Sequence, residues 1–458
     1  MLTSKMLAPL WPSFEYMPHQ LYGINWLITR EKDDVSGGLL CDEMGLGKTI
    51  QMLGLIINSL RSNTLLIGPI AILNQWMSLA EKCSIQCFSL IDGKWILQTK
   101  MFRKSSSLYL CGYEMARKNL RLIKAMEFDR LICDEAHRLS NPRTSTYKAL
   151  AEIKAPSTWL LTATPIVNSR KDLDSLFTLL KVEEDNVDIR KYVLARSMDQ
   201  LRRTISNAPL PPKIITHELE FITKEEAELY RGIQEPILNQ LRYGQITGLF
   251  RLALMLRLRQ LSIHPNVYIK MKQKQKILVE GYGGSSTKFV KIEELITSES
   301  DKKHKWIIFC HFHEEMIMLK EMLKPLEFIR TVSIYSGKLS QDKRDKLLED
   351  VKSSSSTEVL LIQLQSGGVG LNLQEFDRII FSGPWWTKAM MNQAVGRAVR
   401  IGQKNQVVVH HLLLKEDKTM NIDKIICDKA ESKGRLNKLV LMAANRSVTT
   451  KKRNITIH

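Results

Sequence analysis

The chain has 458 residues, 44% of them hydrophobic and 25% charged, a composition that excludes a fibrous, disordered or disulfide-built protein and gives ample material for about three domain-sized units. Its 67 Lys and Arg against 48 Asp and Glu leave a net charge of +19, which points to a polyanionic partner, nucleic acid being the commonest. The seven cysteines are scattered, with Cys83 and Cys87 the one close pair. They are expected as free, buried thiols of a reducing compartment, not as a zinc site or a disulfide frame. The first residues lack the apolar core of a signal peptide, and Gly68-Pro69 and Asn74-Gln75 break the uncharged stretch 62–80, so no membrane partner is expected.

Near the N-terminus, Leu21, Ile24, Leu27 and Ile28 fall at helical spacing, with Gln20 ahead of them. A carboxamide can both donate to and accept from an adenine edge. The apolar run Gly38-Leu39-Leu40-Cys41 then leads into a loop with glycines at Gly45 and Gly47, followed by Lys48-Thr49 and a helix through Leu60. That is the order strand, phosphate loop, helix. Backbone N–H groups approach phosphate oxygens closely where Cβ atoms are absent, Lys48 would reach the β/γ-phosphates of ATP, and Thr49 would ligate Mg²⁺. The loop departs from the strict pattern at its first position, which is Asp42 instead of glycine. A strand over 64–68 follows, then a helix carrying Trp76.

Phe128 to Cys133 forms a further strand and ends in Asp134-Glu135-Ala136-His137. Acids at the C-terminal end of a strand in the same sheet as a phosphate loop face the nucleotide. Asp134 would hold the Mg²⁺ hydration shell, and Glu135 would orient and deprotonate the attacking water. Thr158 to Leu161 is a strand running into Thr162-Ala163-Thr164-Pro165, where hydroxyl groups can bond across to the acids or to nucleic acid. From about 188 to 279 the strands are expected to stop and helices to take over at 224–241 and 246–261, with Arg251, Arg257 and Arg259 on the solvated side of the second. Gly281 to Thr287 is expected as a flexible connection. The alternation resumes with strands at 306–310, 331–335, 359–362, 379–381 and 407–414. Arg397 and Arg400, three apart, would share one helix face and converge on a triphosphate.

In order, Gln20, DEMGLGKT (42–49), DEAH (134–137), TATP (162–165), LRLRQLSIHP (256–265), WIIFC (306–310), SGGVGLNL (366–373) and QAVGRAVRIGQ (393–403) resemble the SWI/SNF family of superfamily 2 helicase-type ATPases. The resemblance implies an α/β fold of two RecA-like P-loop lobes, parallel sheets flanked by helices, with a helical insertion between them. The boundaries are 1–187, 188–287, 288–415 and a helical, basic tail at 416–458. It further implies ATP and Mg²⁺ as cofactors. Gln20, Gly45, Gly47, Lys48, Thr49, Gly370 and Gln393 would contact ATP, Thr49 and Asp134 the metal, with Glu135, Arg397 and Arg400 catalytic. His137, Thr162 and Thr164 would couple hydrolysis to movement, and Trp385 would approach the DNA. Ala163, Gly396 and Val399 depart from the family pattern and leave the hydrolytic set intact. The implied activity is ATP-driven translocation on double-stranded DNA, independent of sequence, that displaces or remodels bound proteins; a strand-separating DNA or RNA helicase is the alternative. The implied setting is intracellular, a nucleus or another DNA-containing compartment such as a viral replication factory.

Overall fold

A computed structural model describes residues 7–99, 106–182, 188–202, 204–205, 208–243, 248–364 and 371–445. They pack as two units, one from the residues up to Ala208 together with those from Lys433 onward, the other Pro209–Ser432. The helices between 224 and 274, expected as a separate insertion, therefore count with the second unit.

The first unit is an eight-stranded sheet. Its strands are β1 (Gly37–Leu40), β2 (Asn63–Gly68), β3 (Gln86–Ile91), β4 (Lys94–Leu97), β5 (Ser107–Gly112), β6 (Arg130–Asp134), β7 (Ser157–Leu161) and β8 (Val193–Leu194). The order is β4-β3-β5-β2-β6-β7-β1-β8, and every pairing is parallel except the β3–β4 hairpin at the edge. Strands covered on both faces by helices carry unbroken apolar runs, and all four residues of β1 are buried. Helix α1 (Pro18–Arg30), helix α2 (Lys48–Asn58) and helix α3 (Ile70–Lys82) follow the expected positions.

A polar cluster closes the sheet at the N-terminal ends of its strands. Arg130, wholly buried at the start of β6, donates to Glu31 Oε1 and Oε2 at 2.6 and 2.8 Å, to Thr64 Oγ1 at 2.9 Å and to Ser59 Oγ at 2.6 Å. Trp159 Nε1 and Ser157 Oγ, on β7, each donate to Glu31 at 3.1 Å. Burial alone would push the Glu31 carboxyl up, but the Arg130 bonds, Trp159 and nearby Arg61 hold it below the usual carboxylate range.

The second unit holds a six-stranded, all-parallel sheet of β9 (Lys213–Leu219), β10 (Lys305–Cys310), β11 (Ile329–Tyr335), β12 (Thr357–Gln363), β13 (Arg378–Phe381) and β14 (Val408–Leu414), in the order β11-β12-β10-β13-β14-β9. Strand β9 corrects the expectation that strands stop after 188. It is a half-exposed edge strand that lacks the continuous apolar run of its neighbours. The helices fall at Lys224–Tyr243 and Gly248–Ile263. The glycine-rich stretch at 281–287 is tied down, not free, since Tyr282 N donates to Asn266 Oδ1 at 2.9 Å and Asn266 Nδ2 donates back to the Tyr282 carbonyl at 2.6 Å. All seven cysteines are free thiols, six of them buried. Among the described residues no helix is long and apolar enough to cross a membrane.

Candidate functional site

In the first unit the C-terminal ends of four neighbouring strands gather the expected residues. Strand β1 leads into the loop 42–47, β7 into Thr162, β6 into Asp134 and Glu135, and β2 into α3. Gly45 and Gly47 adopt φ of 87° and 79°, the left-handed region open to glycine at little cost. At Gly47 a Cβ would stand 2.6 Å from Gln20 Nε2, so the absence of a side chain there lets α1 bring Gln20 onto the loop. Gln20 is buried, and its Oε1 accepts from Met17 N at 3.1 Å. Lys48 and Thr49 open α2, and Lys48 Nζ donates to the Asp42 carbonyl at 2.6 Å. A helix N-terminus with its free N–H groups and a lysine is a built anion site.

Asp134 ends β6. Its Oδ2 accepts from Trp76 Nε1 at 2.8 Å, its Oδ1 from the Glu135 backbone N–H at 2.8 Å, and its carbonyl from the Tyr113 hydroxyl at 2.7 Å. Burial and the adjoining Glu135 carboxylate push the Asp134 carboxyl up, against the opposing pull of Trp76 and Lys48. A buried carboxylate raised by its neighbour's charge favours a nearby cation, and the Asp134 and Glu135 carboxylates with the Thr49 hydroxyl are the oxygen donors that suit a hard divalent cation such as Mg²⁺. Glu135 sits at φ 52°, an uncommon conformation for a residue with a side chain. His137 Nδ1 lies 3.4 Å from both Glu135 Oε2 and Thr162 Oγ1, and Thr164 N donates to Thr162 Oγ1 at 3.1 Å. Glu135 is thus connected through His137 to the loop after β7.

Two residues of this site carry no local sequence signal. Trp76 enters from α3, and Arg196, two residues beyond β8, pairs with Asp42 at 2.5 Å. The one clue to Arg196 was Asp42 itself, because a carboxylate in a buried loop position needs a partner.

In the second unit the helix Lys388–Val395 ends at Gly396. Arg397 and Arg400 therefore lie in the turn that follows and do not share a helix face as expected. Arg397 is buried, its carbonyl accepts from Leu373 N at 3.0 Å, and Arg400 Nε donates to the Gly396 carbonyl at 3.0 Å. Gln403 Nε2 donates to the Gln374 and Phe376 carbonyls at 2.6 and 3.1 Å, which ties this turn to the segment after 371. Gln393 is half-buried on the helix; Gly370 lies outside the described residues.

Arg259 departs from expectation. Arg259 is buried instead of solvated: its guanidinium lies 4.7 Å above the Trp385 ring and donates to His311 Nδ1 at 2.8 Å. Trp385 also stacks on the His311 ring, with centroids 5.2 Å apart and planes 2° from parallel. With 9% of its surface exposed, Trp385 is held against these two side chains, which brace its loop. The desolvated Arg259 is pushed down to about 10.

Residues 19–187 match the SNF2-related domain and residues 287–402 the helicase conserved C-terminal domain. Among curated proteins, a putative ATP-dependent helicase/translocase, YwqA, of Bacillus subtilis is 28% identical over 95% of this chain and 50% of its own length. The ISWI chromatin-remodeling complex ATPase ISW1 of Saccharomyces cerevisiae is 24% identical over 98% of this chain and 42% of its own. The chain thus spans about half the length of the curated relatives it matches. A solved SWI2/SNF2 ATPase core of Sulfolobus solfataricus in complex with dsDNA is 22% identical, overlaps 96% of this chain and 100% of that one, and has a TM-score of 0.41. At that score the fold assignment rests on the strand orders above. With a phosphate loop and paired acids in an SNF2-related domain, and a helicase C-terminal domain on a second parallel sheet, the chain belongs to the SWI/SNF family of helicase-type ATPases.

Proposed function

We propose that the chain hydrolyses ATP in response to double-stranded DNA and uses the cycle to move along the duplex, displacing or remodelling proteins bound to it. The observation that supports this most directly is the grouping of Lys48, Thr49, Asp134 and Glu135 at the C-terminal ends of β1 and β6. In this reading Lys48 and the N–H groups of the loop bind the β/γ-phosphates, and Gln20 reads the adenine. Thr49 and Asp134 would hold Mg²⁺, which would supply charge neutralisation for phosphoryl transfer. Glu135 accepts the proton of the attacking water, and His137, 3.4 Å away, passes the state of that carboxylate to Thr162 and Thr164. Arg397 and Arg400 stabilise charge in the transition state, and the net +19 grips phosphates without reading sequence.

Steady-state ATP hydrolysis without nucleic acid, and with duplex DNA, single-stranded DNA or RNA, tests the reading, using Glu135→Gln as the blank. Strong stimulation by duplex DNA alone is expected, followed by displacement of a triplex strand. Stimulation by single strands or RNA, with unwinding of a forked substrate, would make the protein a strand-separating helicase instead. The name of the Bacillus relative, helicase/translocase, embraces both outcomes.

A further inference from the structure

Arg196 occupies a place that neither the family motifs nor the hydrolytic chemistry explains. Strand β8 pairs with β1, and the ladder continues past both strands: the Leu194 carbonyl accepts from Cys41 N at 2.7 Å and the Arg196 carbonyl from Glu43 N at 2.8 Å. Arg196 therefore runs beside the first residue of the phosphate loop. Its side chain makes four bonds. Nε donates to Asp42 Oδ1 at 2.9 Å, Nη2 to Asp42 Oδ2 at 2.5 Å and to Gln51 Oε1 at 2.8 Å, and Nη1 to the His19 carbonyl at 2.6 Å. Gln51 Nε2 closes the cluster on Asp42 Oδ2 at 2.9 Å. Asp42 and Gln51 are wholly buried. The joint also dictates a residue in α1: a Cβ at Gly23 would stand 1.9 Å from Gln51 Oε1 and 3.0 Å from Arg196 Nη2.

A buried ion pair contributes little net stability compared with an apolar pair of the same shape, and what a bidentate guanidinium fixes best is geometry. The groups fixed here belong to α1, the loop and α2. Gln20 is the neighbour of His19 on α1, and it touches the loop where Gly47 lacks a side chain. Among the described residues α1 also meets the loop through His19 Nε2, 2.9 Å from the Leu46 carbonyl, a single bond that leaves the orientation of the helix to the Arg196 cluster and to packing against α2. We propose that Arg196 is a positioning residue for base recognition: through His19, Asp42 and Gln51 it locks α1 against the phosphate loop, so that Gln20 meets the nucleotide at the distance that suits adenine. Asp42, which replaces the usual glycine, is the loop's half of that lock. The inference rests on the reading of this unit as an ATP site and adds its selectivity.

The test measures kcat and KM for ATP and for GTP on the whole chain with duplex DNA. Arg196→Gln is combined with Asp42→Asn so that no buried charge is left unpaired, Arg196→Lys serves as the conservative variant, and Gln20→Ala serves as background. Charge-assisted bonds of this kind set the scale at about tenfold. The double variant is expected to raise the KM for ATP by about that factor with kcat within about threefold, and to lose most of the preference for ATP over GTP. Arg196→Lys should fall between it and the unsubstituted chain. In the Gln20→Ala background the same two changes should move the preference no further. Equal rises in KM for ATP and GTP, or an undiminished effect without Gln20, would overturn the role given to Arg196 alone. If the unsubstituted chain turns over neither nucleotide, the reading of the site falls, and this inference with it.

Discussion

Glu31→Ala removes the acid from the cluster beneath the first sheet and, among the described residues, leaves Arg130 with Thr64 and Ser59 as side-chain acceptors. Arg130 is wholly buried, so its guanidinium cannot recover the loss from water. Breaking such a pair from one side costs about 3 to 5 kcal/mol, a large part of the 5 to 15 kcal/mol that typically holds a domain together. For a unit of roughly 200 residues each kcal/mol moves the melting temperature by about 2 to 4 °C, so a fall of about 10 °C is expected. Urea unfolding followed by tryptophan fluorescence is the assay, and Trp159, which donates to Glu31, is a reporter at the site. Pairing Glu31→Leu with Arg130→Met removes both charges and should recover most of the loss, because an apolar pair of similar volume often replaces a buried ion pair without penalty. The KM for ATP should stay within about twofold, since the cluster sits at the N-terminal ends of strands whose C-terminal ends carry the nucleotide residues. A loss below about 1 kcal/mol for Glu31→Ala, or a double variant as unstable as the single one, would refute the reasoning.

Trp76→Phe deletes the donor to Asp134 Oδ2 and keeps an aromatic ring in the core. Turnover at fixed Mg²⁺ should fall about tenfold, and a titration should show a higher Mg²⁺ requirement, since hydrogen bonds to charged groups are worth about 1.5 to 3 kcal/mol. Arg400→Ala should keep ATP and DNA binding and lose about 10³ to 10⁵ in hydrolysis rate; near-normal turnover in a coupled ATPase assay would remove the proposed role. Burial and nearby Lys270 lower His264 from 6.5 to about 4, so the unfolded chain takes up its proton first. Stability of the second unit should be intact above about pH 6.5 and decline as pH falls toward 4, by about 3 kcal/mol from this residue. His264 Nδ1 accepts from Asn266 N at 3.0 Å to cap a helix. His264→Asn keeps an acceptor without a titration, and acid melts of that variant should show a shallower decline.

The parts that were legible in the sequence are those where local chemistry and the fold agree. The loop 42–49 and the acids 134–135 stand out in the sequence because a glycine-bearing strand-to-helix loop and paired acids at a strand end are marked by particular residue types at fixed spacing. The central strands do so because burial on both faces demands unbroken apolar runs. Strand β9 was missed because an edge strand needs no such run, and its Lys213-Ile-Ile-Thr-His-Glu-Leu219 looks like connection. Arg259 was misplaced for a different reason. Helical spacing assigns a face but not what packs on it, and only tertiary contact shows Trp385 and His311 there. Arg196 lies 154 residues from Asp42, a distance that no motif bridges. Arg397 and Arg400 were put on a helix that Gly396 ends.

The conformation of Glu135 has a practical side. Holding a residue with a side chain at φ 52° costs on the order of 1 kcal/mol, and glycine would relieve that strain while adding a similar cost in chain entropy. Glu135→Gly should consequently melt where the parent melts and hydrolyse nothing. A library sorted by heat resistance or soluble yield would pass this variant unnoticed, so selection for stability alone would not hold a side chain at this position.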